Sequence, residues 1–220
     1  RYGSSAASDV YKRQKQFNVI LCSPSHAGNI GSTARAMKTM GLENLYLVNP
    51  KSFPSDQAYA LAAGADDILD KAIIFSNLEE AIKNSHLSVG FTARKRELSQ
   101  PHLNIRKTAT DLIIKAETQT ISLLFGNETN GLSNDEIKYC QLISYIDTDK
   151  NYSSLNLAQS VQVCCHVLRM AIKNKSANPL SINKTKIFVT QSQLNGFFLH
   201  FEEVLHLSLI HISEPTRQWS

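Results

Sequence analysis

Short apolar runs alternate with stretches of helical periodicity along most of this chain, and that alternation restricts the folds open to it. The runs are Phe17–Cys22, Leu45–Val48, Ala72–Phe75, Leu87–Phe91, Ile121–Phe125 and Leu142–Ile146. Apolar residues at helical spacing lie over Ile30–Met40, Asp56–Ala63, Leu78–Asn84, Ile105–Glu117, Asn134–Tyr139 and Leu155–Lys173. Two starts carry capping signals: Asn77 with Glu80 three residues on, and Ser133 with Glu136 in a capping-box pattern. Strands separated by helices predict an α/β fold, a parallel sheet with helices on both faces. Such sheets bind ligands beyond the carboxyl ends of their strands, so the loops that follow strands are where chemistry is expected.

The 220 residues suit one domain, or one domain plus an appendage. With 42% hydrophobic and 19% charged residues, the chain can bury a core. A net charge of +4 is compatible with a polyanionic partner without requiring one. No apolar run approaches the roughly 20 residues of a membrane helix, so no membrane partner is expected. Cys22, Cys140, Cys164 and Cys165 form no C-x-x-C pair and read as reduced core residues of a reducing compartment. His86 and His102 have no ligand spacing to cysteine or acid, and no metal is expected.

The two ends, "RYGSSAASDVYKRQ" and "SLIHISEPTRQWS", differ in character from the middle. Residues 1–14 and 208–220 are therefore expected to be non-native tails, with the main domain over 15–175. The segment 176–207 is expected to be a linker and the start of a helical extension. Residues 171–190 carry four lysines, no acid and Pro179. Gln191–Leu207 then places Leu194, Phe197, Phe198, Phe201, Val204 and Leu205 on one helical face.

Four stretches after strands carry the functional signal. In "SHAGNIGSTARAMKTMGL", residues 25–42, Gly28 and Gly31 permit a tight turn, Asn29 can cap the helix, and Arg35 and Lys38 lie off its apolar stripe. In "GFTARKRE", residues 90–97, Arg94, Lys95 and Arg96 are consecutive, with Arg106 and Lys107 beyond; such a cluster suits a nucleic-acid backbone or a solvated loop. "GNETNGLS", residues 126–133, has the glycine spacing of a P-loop but places Leu132 where the lysine belongs and Glu128 inside the loop. A triphosphate is disfavoured there; a ligand with a cationic centre is not. "NYSSLNLAQSVQV", residues 151–163, offers Ser153 or Ser154 as a cap for an inward-packing helix.

Taken together, "NIGSTARA", "FGNETNGLS" and "YSSLNLAQSVQV", in that order and spacing, resemble the three motifs of the SpoU-type RNA 2′-O-ribose methyltransferases of the SPOUT class. "SHAGNIGSTARAMKTMGLENLYLVNP" and "ALAAGADD" are similar to the bacterial branch that modifies the ribose of cytidine or uridine 32 in the tRNA anticodon loop. The resemblance covers about Phe17 to Leu207.

It implies a sheet with a C-terminal trefoil knot, S-adenosylmethionine as methyl donor, tRNA as substrate, a homodimer paired through the knotted region, and a cytoplasmic location. It places the cofactor against Phe91, Thr92, Ala93, Gly126, Ile146, Ser153, Ser154 and Leu155. Phe91 is bulkier than expected, which points to its backbone. The catalytic role falls to Arg35, with Asn29, Glu128 and Asn156 positioning it or the ribose. A guanidinium is hardly ever neutral, so Arg35 is expected to hold a phosphate and polarise the 2′-oxygen. The alternatives are an RNA-binding protein that kept the fold without the chemistry, and a P-loop NTPase.

Overall fold

The computed structural model describes residues 12–93, 101–177 and 188–209. Its strands are β1 (Phe17–Cys22), β2 (Asn44–Val48), β3 (Ile73–Phe75), β4 (Leu87–Phe91), β5 (His102–Asn104), β6 (Ile121–Phe125) and β7 (Leu142–Tyr145). The helices are α1 (Ala27–Met40), α2 (Asp56–Ala62), α3 (Asp66–Asp70), α4 (Leu78–Ile82), α5 (Ile105–Lys115), α6 (Asn134–Lys138), α7 (Leu157–Ala177) and α8 (Gln191–Leu209). All strand pairs are parallel, in the order β3-β2-β1-β6-β4-β7-β5.

β1, β4 and β6 are buried along their whole length, as strands covered on both faces must be. Side chains alternate between two apolar layers. Val19, Leu21 and Leu123 join α1, α2, α5 and α7 on one face; Ile20, Cys22 and Leu124 join α4 and α6 on the other. The cysteines are buried and unpaired, and burial pushes the Cys140 and Cys165 thiols up to about 12. No helix among the described residues is long and apolar enough to cross a membrane.

The chain lays β1, β2 and β3 outward to one edge and starts the other half with β4 and β5. It then inserts β6 between β1 and β4, and β7 between β4 and β5. β5 and α3 were not legible in the sequence. "HLN" is too short to form an apolar run and is held by its pairing with β7 at the sheet edge. "DDILD" is barely more than one turn, too short to show a period.

Three local readings change. Gly28 and Gly31 do not make a tight turn but lie inside α1, where α2 crosses it. A Cβ at Gly31 would stand 1.9 Å from the Ala58 carbonyl oxygen, so only glycine allows the two backbones to meet. Asn29 is not the cap of α1, because the helix begins earlier, at Ala27, with His26 at the N-cap position. Nor do Ser153 and Ser154 cap α7: Asn156 Oδ1 accepts from the backbone N–H of Ala158 at 2.9 Å and Gln159 at 3.4 Å.

The apolar side of α7 is covered within the same chain. Leu157, Val161, Cys164, Cys165, Leu168 and Ile172 pack into the core with α1 and α5. α8 is held at its start, where Gln191 and Ser192 donate backbone N–H groups to Ser85 and Lys83 oxygens. Farther along it, Phe197, Phe198, Phe201 and Leu205 are exposed. Most of the two expected tails, residues 1–11 and 210–220, and the linker segment 178–187 lie outside the described residues. Arg13 pairs with Glu117 at 2.9 Å, and Gln14 donates to the Met40 carbonyl at 3.1 Å.

Candidate active site

The strand order sets the carboxyl ends of β6, β4 and β7 side by side, so the segments that leave them converge. Residues 91–93, 126–131 and 146–155 contribute the walls of a cleft of about 790 Å³, open mouth included. Phe91, Thr92, Ala93, Gly126, Ile146, Ser153, Ser154 and Leu155 all line it, as does Glu128. Thr148, outside the quoted motifs, and Ser160, inside the fourth stretch but given no role there, add two hydroxyls. The Phe91 ring is committed to the fold: it stacks on Phe125 with centroids 4.6 Å apart and planes 8° off parallel. Its backbone and the following Thr92 and Ala93 are what the cleft can use.

The loop after β6 folds back on itself. Gly131 N–H donates to the Asn127 carbonyl at 2.8 Å, and Asn127 Nδ2 ties the loop to Ser23 O at 2.7 Å. A Cβ on Gly126 would lie 2.0 Å from the Gly131 carbonyl carbon and the Leu132 nitrogen, so the glycine is required by the loop's own return. Leu132 is fully buried among Ile20, Leu124, Ile137 and Ile143. The position that holds a cation in a phosphate loop is here a core position, and the NTPase reading fails.

Glu128 organises the rim. Its carboxylate accepts from Ser25 N at 2.9 Å, Ser25 Oγ at 2.7 Å, His26 N at 3.1 Å and Asn29 Nδ2 at 2.9 Å. Two of those donors are backbone groups at the start of α1, where a negative charge is also favoured by the helix dipole. Burial alone would raise the carboxyl's pKa. The bonds from Asn29 and Ser25 outweigh it and hold the group down to about 2, so it is ionised at neutral pH. Asn29 Oδ1 in turn accepts from Asn156 Nδ2 at 2.9 Å. Asn29, Glu128 and Asn156 thus form one hydrogen-bonded chain that joins the first turn of α1, the loop after β6 and the cap of α7. The sequence motifs named these three; Ser25 and His26 were quoted in the first stretch but given no role.

Arg35 stands apart from this chain. It is exposed on α1 and, among the described residues, has no hydrogen bond or ion pair. Lys38, by contrast, is engaged with Asp67 at 2.6 Å and the Gly64 carbonyl at 2.8 Å. Arg94, Lys95 and Arg96 lie outside the described residues, while Arg106 and Lys107 are exposed at the start of α5. His86 accepts from Thr120 N at 3.0 Å, a structural use. No metal-binding cluster occurs among the described residues.

Residues 16–166 match the SpoU rRNA Methylase family. The protein named tRNA (cytidine/uridine-2′-O-)-methyltransferase TrmJ from Sodalis glossinidius (strain morsitans) is 43% identical over 187 residues, covering 85% of this chain and 73% of that one. A probable methylase family protein from Haemophilus influenzae Rd KW20 superposes with a TM-score of 0.73 at 37% identity, over 91% of this chain and 83% of its own. TrmJ from Z. mobilis ZM4 superposes with a TM-score of 0.74 at 28% identity, over 89% and 82% of the two chains. The seven-stranded parallel sheet, the cleft at its carboxyl edge and these matches agree: the chain belongs to the SpoU methylase family.

Proposed function

We propose that this protein transfers a methyl group from S-adenosylmethionine to a ribose 2′-hydroxyl of tRNA, and that the nucleotide is cytidine or uridine 32 of the anticodon loop. The observation that carries the reading is the charge of the cleft. Among its described lining residues there is no lysine or arginine, and the ionised Glu128 stands at its rim. Such a site repels triphosphates and suits a sulfonium. Ile146 and Leu155 supply apolar wall for a base, and Ser153, Ser154 and Thr148 supply hydroxyls for a ribose or an amino acid. The name of the 43% identical relative supports the tRNA substrate and the 2′-oxygen.

When bound, the methyl donor supplies an activated carbon and a good leaving group. The chain's task is to align the 2′-hydroxyl and stabilise the charge that develops on it. Arg35, exposed and without a partner among the described residues, is placed to hold the phosphate beside the target ribose. We assign the methyltransferase unit to 15–175 and place the enzyme in the cytoplasm as a homodimer. Exposed Tyr152, ahead of α7, and Met170, within it, offer apolar surface for pairing. The late insertion of β6 and β7 supports a trefoil crossing of the chain.

Mass mapping of a tRNA pool after incubation with protein and S-adenosylmethionine tests the reading. It should reveal one added methyl on the ribose of nucleotide 32. Methylation of a base, or of ribosomal RNA alone, would replace it.

A further inference from the structure

Ser25 Oγ lies 2.7 Å from Glu128 Oε2 and 2.9 Å from His26 Nδ1. A hydroxyl has a single proton, and a carboxylate can only accept. The serine proton therefore goes to Glu128, and Ser25 Oγ faces His26 as an acceptor. That arrangement places the proton of a neutral imidazole on Nδ1 and leaves Nε2 with a bare lone pair. Glu128 Oε1 is 3.6 Å from His26 Nδ1 and is ready to offset a positive charge on the ring. The histidine side chain is 72% exposed at the rim formed by a residue that lines the cleft. As N-cap residue it makes no side-chain bond to its own helix, so capping does not account for it. An acid, an orienting hydroxyl and an outward imidazole are the parts of a general base.

We propose that His26 is the proton acceptor for the ribose hydroxyl, with Ser25 and Glu128 as its positioning residues. This rests on the methyltransferase reading above and supplies what that reading lacks, since Arg35 cannot take a proton. The 2′-O–H bond breaks and its proton moves to His26 Nε2. The oxygen forms its bond to the methyl carbon while the carbon–sulfur bond breaks, its electron pair staying on sulfur. The sulfonium charge disappears as the imidazolium charge appears, and the imidazolium then releases its proton to water. Among the described residues, the charged side chain in contact with His26 is that of Glu128.

The test is single-turnover methylation of tRNA by the whole chain at saturating S-adenosylmethionine, over pH 5.5–9, for wild type, His26→Ala and Ser25→Ala. Wild type should lose rate toward acid as its base becomes protonated. His26→Ala should fall at least 100-fold, lose that acid limb, bind S-adenosylmethionine and tRNA as before, and recover at least tenfold when free imidazole is added. Ser25→Ala should fall about tenfold and keep the acid limb. A His26→Ala rate within about threefold of wild type, or a drop that keeps the acid limb and ignores imidazole, overturns the assignment of His26 alone. A well-folded wild type that methylates no tRNA overturns the underlying reading as well.

Discussion

Replacing Glu128 by glutamine removes one charge and two acceptor lone-pair sites while changing almost no volume. Four donors converge on the native carboxylate, two from the backbone at Ser25 and His26 and two from side chains. In the variant the new amide nitrogen must face at least one of them, donor against donor. The depression of the carboxyl from its ordinary 4.5 to about 2 sets a ceiling near 3 kcal/mol for the advantage of the charged form. The side chain is 12% exposed and stands at an open mouth, so solvent screening reduces this to about 2 kcal/mol. For a chain of this size that corresponds to a fall in Tm of about 4–8 °C. The sign with pH follows from the lowered value. The contribution is fully present above pH 4.5 and drains away as pH falls toward about 2. Urea unfolding of both proteins at pH 7 and pH 3 reads it directly. The gap between them should shrink by more than half at pH 3. An equal gap at the two pH values, or none at pH 7, would show that the carboxylate does not clamp the loop to α1.

Arg35→Ala should lose 100-fold or more in single-turnover methylation while binding S-adenosylmethionine normally, and Arg35→Lys should recover little because an ammonium lacks the two-pronged geometry; a rate near wild type in either would end its assignment to the transition state. Gly31→Ala should destabilise by about 1–3 kcal/mol despite alanine's better helix propensity, because its Cβ meets the Ala58 carbonyl, whereas Gly196→Ala, with nothing within 4 Å, should be neutral or slightly stabilising in thermal melts. Asn156→Ala should cost about 1–2 kcal/mol, and Asn156→Asp should restore the cap of α7 but not the donation to Asn29, so the two variants should differ in chemical denaturation.

The sequence showed the core strands and long helices because burial on both faces writes itself as unbroken apolar runs, as in "FNVILC" and "ISLLF". It could not show β5, whose three residues owe their conformation to a neighbour that lies 41 residues downstream along the chain at Ser144. The lining of the cleft was legible through the motif resemblance, since each contributing loop follows a strand. The roles of the glycines were not. Gly126 and Gly31 are dictated by backbones that approach from the far side of a loop or from another helix, and a one-dimensional pattern has no term for either. Asn29 reads as a cap in the sequence, but the helix already begins at Ala27 and the Asn29 side chain is spent on Glu128, 99 residues away.

Asn29 and Asn156 are 127 residues apart in the chain yet bonded in the fold. At about 5–20 residues per second, a ribosome needs roughly 6–25 s to deliver the second after the first. During that interval β1 can pair with β2, but its other edge stays bare until β6 arrives, and the amides at the start of α1 wait for the carboxylate of Glu128. The rim of the cleft therefore cannot exist on a nascent chain until α7 has begun to emerge. A ribosome that stalls before Phe125 leaves behind an apolar strand edge with no partner, the kind of surface that chaperones bind and aggregates grow from.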